Sequence, residues 1–299
     1  MTSPRANRRG MIAMVGAMAA YSVSDALTKL ASKTLPLGEV LAIRGIFTVL
    51  LIGTLLIALG QIRHLRTAMT PLILTRSVFD ALSSGCYVAA LIHMRIAEVA
   101  SVVMIAPLIL TALSVIFYSE NVGWRRWCAV VLGFVGVLFV VKPTPNAFNA
   151  WALVALVGTT LGASREILTR RIDTSMPTLV ITFVSVTMLT VVGCAIGATE
   201  HWLAVGWREA IYLSVAACFF SLATYLTVLA FRDVVVSSVA PFRYTFLIFA
   251  GIAGYLAFRE LPDGWSMFGA GLIVASGLYA LHRETVRRRE LTATTPTAQ

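Results

Sequence analysis

Eight charged side chains lie inside long apolar stretches of this sequence: Asp25, Lys29, Arg44, Arg76, Asp80, Arg165, Glu166 and Arg243. Groups of these types can pair with one another, carry a proton, or hold a charged solute. Placing one at the centre of a membrane helix costs about 2.5–3.5 kcal/mol on insertion scales, so they face a cavity or a partner. Their spacing groups them. Tyr21, Ser24, Asp25, Thr28 and Lys29 recur at i, i+3, i+4, i+7 and i+8, one face of a helix. Arg76, Asp80, Ser83, Ser84 and Tyr87 share another face, and Ser221 with Tyr225 repeats part of that second pattern. Both sets are expected to line one wet space. The plain alternative is that Arg76 and Asp80 only pair at i,i+4 and that Lys29 snorkels to the surface.

Around these residues the chain is 58% hydrophobic and 13% charged, with a mean hydropathy of +0.85 over 299 residues. A soluble domain carries roughly 25% charged residues, so the class expected is an all-α membrane protein. A bilayer core takes about 20 mostly apolar residues per helix. Ten candidate helices follow: 11–32, 37–59, 72–93, 97–118, 124–141, 150–169, 177–199, 208–230, 234–258 and 264–281. Breaks fall at Pro36, Pro71, Gly123, Pro143 to Pro145, Pro177 and Pro262 to Gly264, where proline and glycine interrupt helices for steric reasons. Arg5, Arg8 and Arg9 before Met11–Ala20 fit the start of a signal peptide. The apolar stretch runs on past Asp25 and recurs later in the chain, so a first transmembrane helix is the expectation.

The net charge of +10 sits between apolar runs instead of on one face, which suits a topology signal and not a nucleic-acid partner. With the N-terminus inside, 14 Lys/Arg fall in inner segments and 5 in outer ones, so both termini are expected in the cytoplasm. Cys86, Cys128, Cys194 and Cys218 lie in apolar runs with no close pair, and the four histidines are scattered. No disulfide, metal site or cofactor is inferred from them. No G-x-x-x-x-G-K-[ST] phosphate loop occurs, and no His/Asp or Ser/His constellation at one depth argues for an enzyme.

The two halves of the chain repeat. Asp25, Thr28 and Lys29 match Glu166, Thr169 and Arg170 at an offset of 141, and Pro36 matches Pro177 at the same offset. Tyr87 and Leu91 match Tyr225 and Leu229 at 138, Glu120 matches Glu260 at 140, and Trp124 and Gly136 match Trp265 and Gly277 at 141. An odd number of helices per half puts the second half upside down. Inverted repeats of this kind recur in secondary transporters, with the site near the midplane between them.

The stretch from Pro107 through Tyr118, Glu120, Gly123 and Trp124 to Gly133 and Gly136 resembles the end of an EamA repeat, of the drug/metabolite transporter superfamily. Phe258, Glu260, Gly269, Gly271 and Gly277 look like its second copy. The likeness covers roughly residues 10–282 and within the family is greatest to the YddG-type amino-acid exporters. It implies ten helices, in a first repeat 11–141 and a second repeat 150–281; a cytoplasmic segment 1–10 and a cytoplasmic tail 282–299, polar and Thr-rich from Leu291 and expected to be disordered, follow from the residues themselves. It also implies a cavity between the halves and transport without ATP hydrolysis. One departure is that Pro241 precedes Glu260 by 19 residues, whereas Pro107 precedes Glu120 by 13, so the fourth helix of each half would bend at different depths.

The expected cavity lining is Tyr21, Ser24, Asp25, Ser83, Tyr87, Pro107, Ser221, Tyr225, Pro241 and Tyr244. The tyrosines would stack on a solute, and the prolines would free backbone carbonyls. Ordinary packing explains the tyrosines and prolines equally well. Gating or proton coupling falls to Asp25 and Arg44 toward the outer side, and to Arg76, Asp80, Arg165, Glu166 and Arg243. Glu120 and Glu260 are read as loop anchors, and Gly193 with Gly197 as a weak GxxxG contact. The expected function is export of amino acids or related small metabolites across the cytoplasmic membrane by alternating access. Export of organic or quaternary cations is the alternative.

Overall fold

The computed structural model describes residues 4–118, 124–141, 149–169, 171–173, 175–231 and 239–294. Among them the chain is helical throughout, with no strand. The helices in order are α1 (Pro4–Ala31), α2 (Leu37–Ala58), α3 (Pro71–His93), α4 (Ile96–Val103), α5 (Ala106–Tyr118) and α6 (Trp124–Val141). Further along the chain come α7 (Ala150–Thr169), α8 (Thr178–Gly197), α9 (Trp207–Phe231), α10 (Thr245–Phe258) and α11 (Gly264–Thr294). Tight 3-10 turns at Gln61–Leu65 and Ala240–Tyr244 precede α3 and α10.

Local sequence sets these limits. Pro36 and Pro177 stand just before α2 and α8 in extended conformation, and Pro71 opens α3, where its missing N–H is no loss. Thr70 caps α3 by accepting from the Ile73 amide at 3.4 Å. Gly60, at φ 66°, takes the left-handed turn after α2 that a side chain would resist.

The fourth helix, expected as one piece over 97–118, is broken at Met104 and Ile105 into α4 and α5. Pro107 has no amide to give to the Val103 carbonyl, so the ladder lapses there. The helix expected over 234–258 starts, among the described residues, with Pro241 inside a 3-10 turn. Pro107 and Pro241 therefore stand at helix starts, not mid-helix. The last helix continues through Thr294, although a disordered tail was expected from 282. Glu284, Arg287 and Glu290 are good helix formers that extend it past the apolar part. At the other end α1 begins at Pro4, inside the segment expected to precede the first helix.

Among the described residues, eight helical stretches are long and apolar enough to cross a membrane, counting α4–α5 together and Ala240–Phe258 together. The apolar part of α6, Trp127–Val141, is shorter. Large apolar side chains turn outward, among them Ile46, Leu50 and Ile57 on α2, Leu132 and Leu138 on α6, and Ile211 and Leu222 on α9. Water would not tolerate such a surface; hydrocarbon does. Trp124, Trp127, Trp151, Trp207 and Trp265 open helices and Trp202 lies in a loop, the level of an interfacial aromatic belt. Cys128, Cys194 and Cys218 are exposed on this outer surface instead of buried, and all four cysteines are free.

Most of the packing joins early helices to late ones. α1 lies along α9, α2 along α8, α3 along α7, and α6 along α11. Small residues allow the close approaches. Gly193, in the expected GxxxG, faces Leu41 and Ala42 of α2, and a Cβ there would lie 2.8 Å from the Ala42 amide nitrogen. Gly136 meets Gly269 across α6 and α11, beside the Phe139–Trp265 ring stack, whose centroids are 5.7 Å apart. Glycine-rich faces on these two helices let them pack together.

A Cβ at Gly136 would sit 2.8 Å from the Gly269 carbonyl oxygen, whereas one at Gly271 meets nothing within 4 Å. Gly136→Val is expected to cost about 1–3 kcal/mol through overpacking, and Gly271→Ala to stay within about 0.5 kcal/mol of wild type. Unfolding titrations in mixed SDS micelles measure both; equal stability of the two variants would contradict the close α6–α11 contact.

Candidate functional site

Four helices bring polar side chains together in the interior. α1 contributes Tyr21, Ser24, Asp25 and Thr28 on the face foreseen from their spacing. Asp25, 5% exposed, accepts a hydrogen bond from the Tyr87 hydroxyl of α3. Arg44 of α2, also 5% exposed, donates to Thr28 Oγ1 at 3.2 Å and lies 5.3 Å from the centroid of the Phe220 ring of α9. Asp25 and Arg44 are within electrostatic reach of one another. The Tyr21 hydroxyl is 3.3 Å from Thr224 Oγ1, and Ser24 Oγ donates to the Ala216 carbonyl at 2.9 Å, both on α9. A carboxylate, a guanidinium and aromatic rings thus converge where α1, α2, α3 and α9 meet.

A second cluster forms a row of alternating charges. Arg76 pairs with Asp80 at 3.0 Å, Asp80 with Arg165 at 2.8 Å, Arg165 with Glu166 at 3.6 Å, and Glu166 with Arg243 at 3.8 Å. Arg76 also donates to Ser185 Oγ on α8 and, through Nε, to Thr169 Oγ1 at 3.2 Å. The row runs from α3 through α7 to the turn before α10, joining the two halves of the sequence. The i,i+4 pair of Arg76 and Asp80 exists, but as one link of a longer network.

A third set lies at the far end of α1. Lys29, 7% exposed, donates to Glu260 Oε1 at 2.7 Å and to the Met94 carbonyl at 2.5 Å, with its Nζ 5.0 Å from the Phe258 ring centroid. Glu260 Oε2 accepts from the Ile96 amide at 3.4 Å. Lys29 therefore does not snorkel: a carboxylate and a carbonyl hold its ammonium inside. Glu260 anchors a loop as expected and is also the partner of a buried cation. Glu120, its counterpart in the repeat, lies outside the described residues, as does Arg170.

Other expected lining residues make different contacts. Tyr225 is 59% exposed, in register with Leu222 and Ile211 on the outer apolar stripe of α9, because the face toward α1 is filled by Ala216, Ala223 and Thr224. Tyr244 is buried against Gly277 of α11, its hydroxyl without a partner. Ser83 Oγ donates to the Gly158 carbonyl at 2.7 Å, tying α3 to α7, and Ser221 Oγ is buried without a partner. Sequence reasoning missed Phe220, Thr224 and Ser185. Ser185 was findable as a hydroxyl in an apolar run; Phe220 carries no signal that separates it from any lipid-facing phenylalanine.

Such a fold and interior define a multi-pass membrane protein with a charge-paired core. Residues 8–142 match the EamA-like transporter family. The chain is similar to the S-adenosylmethionine uptake transporter of Rickettsia felis, 30% identical over 178 residues, 60% of each protein. That match thus spans less than two thirds of the relative's length. It is similar to the Pseudopaline exporter CntI of Pseudomonas aeruginosa, 27% identical over 275 residues, 90% of this chain and 94% of that one. One solved crystal structure covers 94% of this chain and 98% of its own at 19% identity with a TM-score of 0.55, a likeness of fold alone.

The Lys29–Glu260 contact gives a direct test of the geometry. A double-mutant cycle of Lys29→Met and Glu260→Gln, read by SDS unfolding, is expected to yield a coupling of about 0.5–3 kcal/mol. Additive effects would show that the pair is absent in the membrane protein.

Proposed function

We propose that the chain is a secondary transporter that moves amino acids or related small metabolites across the cytoplasmic membrane by alternating access. In this reading ten transmembrane helices form two inverted five-helix repeats, 11–141 and 150–281, with both termini cytoplasmic. α4–α5 count as one span, as do residues 240–258, and α3 and α6 cross the membrane as well. The helix pairings support the symmetry. Exchanging α1 with α7 and α3 with α9 turns the α1–α9 contact into the α7–α3 contact, while α2–α8 and α6–α11 map onto themselves.

The observation that carries the proposal is the pair of charge clusters at different depths, each joining elements of both halves. The row from Arg76 to Arg243 would close one side, and the Lys29–Glu260 contact would close the other. Between them Asp25, Tyr87 and Arg44 offer both charge signs beside aromatic walls, which suits a zwitterion. Asp25 is the residue proposed to meet the substrate's ammonium group or a coupled proton. An organic cation is the second reading, favoured by an acid among rings. Against it, Arg44 already lies over Phe220 and would repel a second cation there. The relatives' names include both uptake and export, so export, the direction expected from sequence, is tested together with its reverse. S-adenosylmethionine has an amino-acid end and a sulfonium cation, so it belongs among the first solutes tried.

Counterflow in proteoliposomes, with a panel of amino acids, S-adenosylmethionine and quaternary ammonium ions, is expected to show exchange of amino-acid-bearing solutes. Asp25→Asn should lower that exchange at least tenfold while leaving the protein folded. Exchange of quaternary ions alone, or full activity of Asp25→Asn, overturns the assignment. Proton coupling is rejected if flux ignores an imposed pH gradient.

Cysteine pairs placed across the Asp80–Arg165 row and across the Lys29–Glu260 contact should crosslink in opposite proportion when substrate is added. Crosslinking of both pairs that is indifferent to substrate contradicts gating by these clusters.

A further inference from the structure

A groove of about 790 Å³ runs along the seam between α1 and α9, away from the clusters described above. Arg8 and Arg9 stand at one end of it, and Ile12, Ala13, Gly16, Leu226 and Leu229 form its walls and floor. Among the described residues, no acidic side chain lines it. Both arginines are exposed and head the apolar span that begins at Arg8, which sets them at the boundary between water and hydrocarbon. Gly16 keeps the floor open: a Cβ there would already touch Leu226 at 3.4 Å.

We propose that this seam is a binding site for an anionic phospholipid, its headgroup phosphate on Arg8 and Arg9 and one acyl chain laid along Ile12, Gly16 and Leu229. The match is one of chemistry and depth. Basic pockets between membrane helices select acidic headgroups, and each basic residue near the surface contributes roughly fivefold to such binding. Arginine offers a fork of donors that fits phosphate oxygens. A zwitterionic lipid fills the apolar walls equally well but brings a choline or ethanolamine cation toward the two guanidiniums. The seam also joins the two halves of the sequence, and the Tyr21–Thr224 and Ser24–Ala216 contacts lie further along the same pair of helices. A lipid seated there props α1 and α9 at one end of the interface that holds Asp25.

The full-length chain is purified from vesicles of mixed phosphatidylglycerol and phosphatidylcholine, and the lipid retained per chain is counted by native mass spectrometry. Wild type is expected to retain phosphatidylglycerol in preference. Arg8→Gln with Arg9→Gln should reduce that preference roughly 25-fold, two fivefold steps, and Arg8→Lys with Arg9→Lys should keep most of it. Leu229→Trp, which fills the groove and leaves the charges, should displace both lipids. The proposal is overturned if wild type retains the two lipids equally, if the double Gln variant retains phosphatidylglycerol like wild type, or if Leu229→Trp leaves retention unchanged. Binding is read without any solute flux, so failure here is separate from failure of the transport reading.

Discussion

The bundle depends on one constraint: an ionised group in hydrocarbon must find its counter-charge or its hydrogen-bond partner inside the protein. Every embedded charge among the described residues meets that demand, and nearly all meet it on a different helix. Asp25 reaches α3, Arg44 reaches Thr28 on α1, Lys29 reaches the loop after α10, and Asp80 reaches α7. Because the partners are distant in sequence, satisfying them fixes which helices lie side by side. Burial of a charge with its partner is weak evidence of net stability but good evidence of a specified arrangement. Apolar packing alone, in a solvent as oily as leucine, would choose neighbours poorly.

Hydroxyl and glycine residues do the complementary work. Thr28, Thr48, Thr159 and Ser185 return their hydroxyls to carbonyls one turn back, so they pass through the interior without leaving a donor unsatisfied. Gly136, Gly193 and Gly269 bring backbones near enough for dispersion contacts to accumulate. The division of labour is clear along α3. Its Arg76 and Asp80 belong to the charged row, its Ser83 is bound to backbone, and its Tyr87 turns to Asp25.

Helix positions were legible in the sequence because length, apolar content and proline breaks are local properties. α2, α3, α6, α7 and α8 begin and end within two residues of where the pattern put them. The break at Met104 was not read, since Pro107 alone does not say whether a helix bends or stops. Within the site, the face of α1 and the acidic–basic clusters followed from spacing and insertion cost. Tyr225 did not: the repeat equated it with Tyr87, yet only the neighbour opposite decides which face of a helix looks inward. The Lys29–Glu260 pair escaped because its members stand 231 positions apart and each had a sufficient local explanation.

Lys29 deserves a mechanical reading. Its ammonium is fastened to Glu260 and to the Met94 carbonyl, and Glu260 also holds the Ile96 amide, so one end of α1 is riveted to three places in the chain. With that rivet intact, a tilt of α1 has its fulcrum at Lys29. Arg8 lies 21 residues away, a lever arm of roughly 32 Å at 1.5 Å per residue. A swing of about five degrees would then carry the Arg8 end by about 3 Å while scarcely disturbing Asp25, four residues from the pivot.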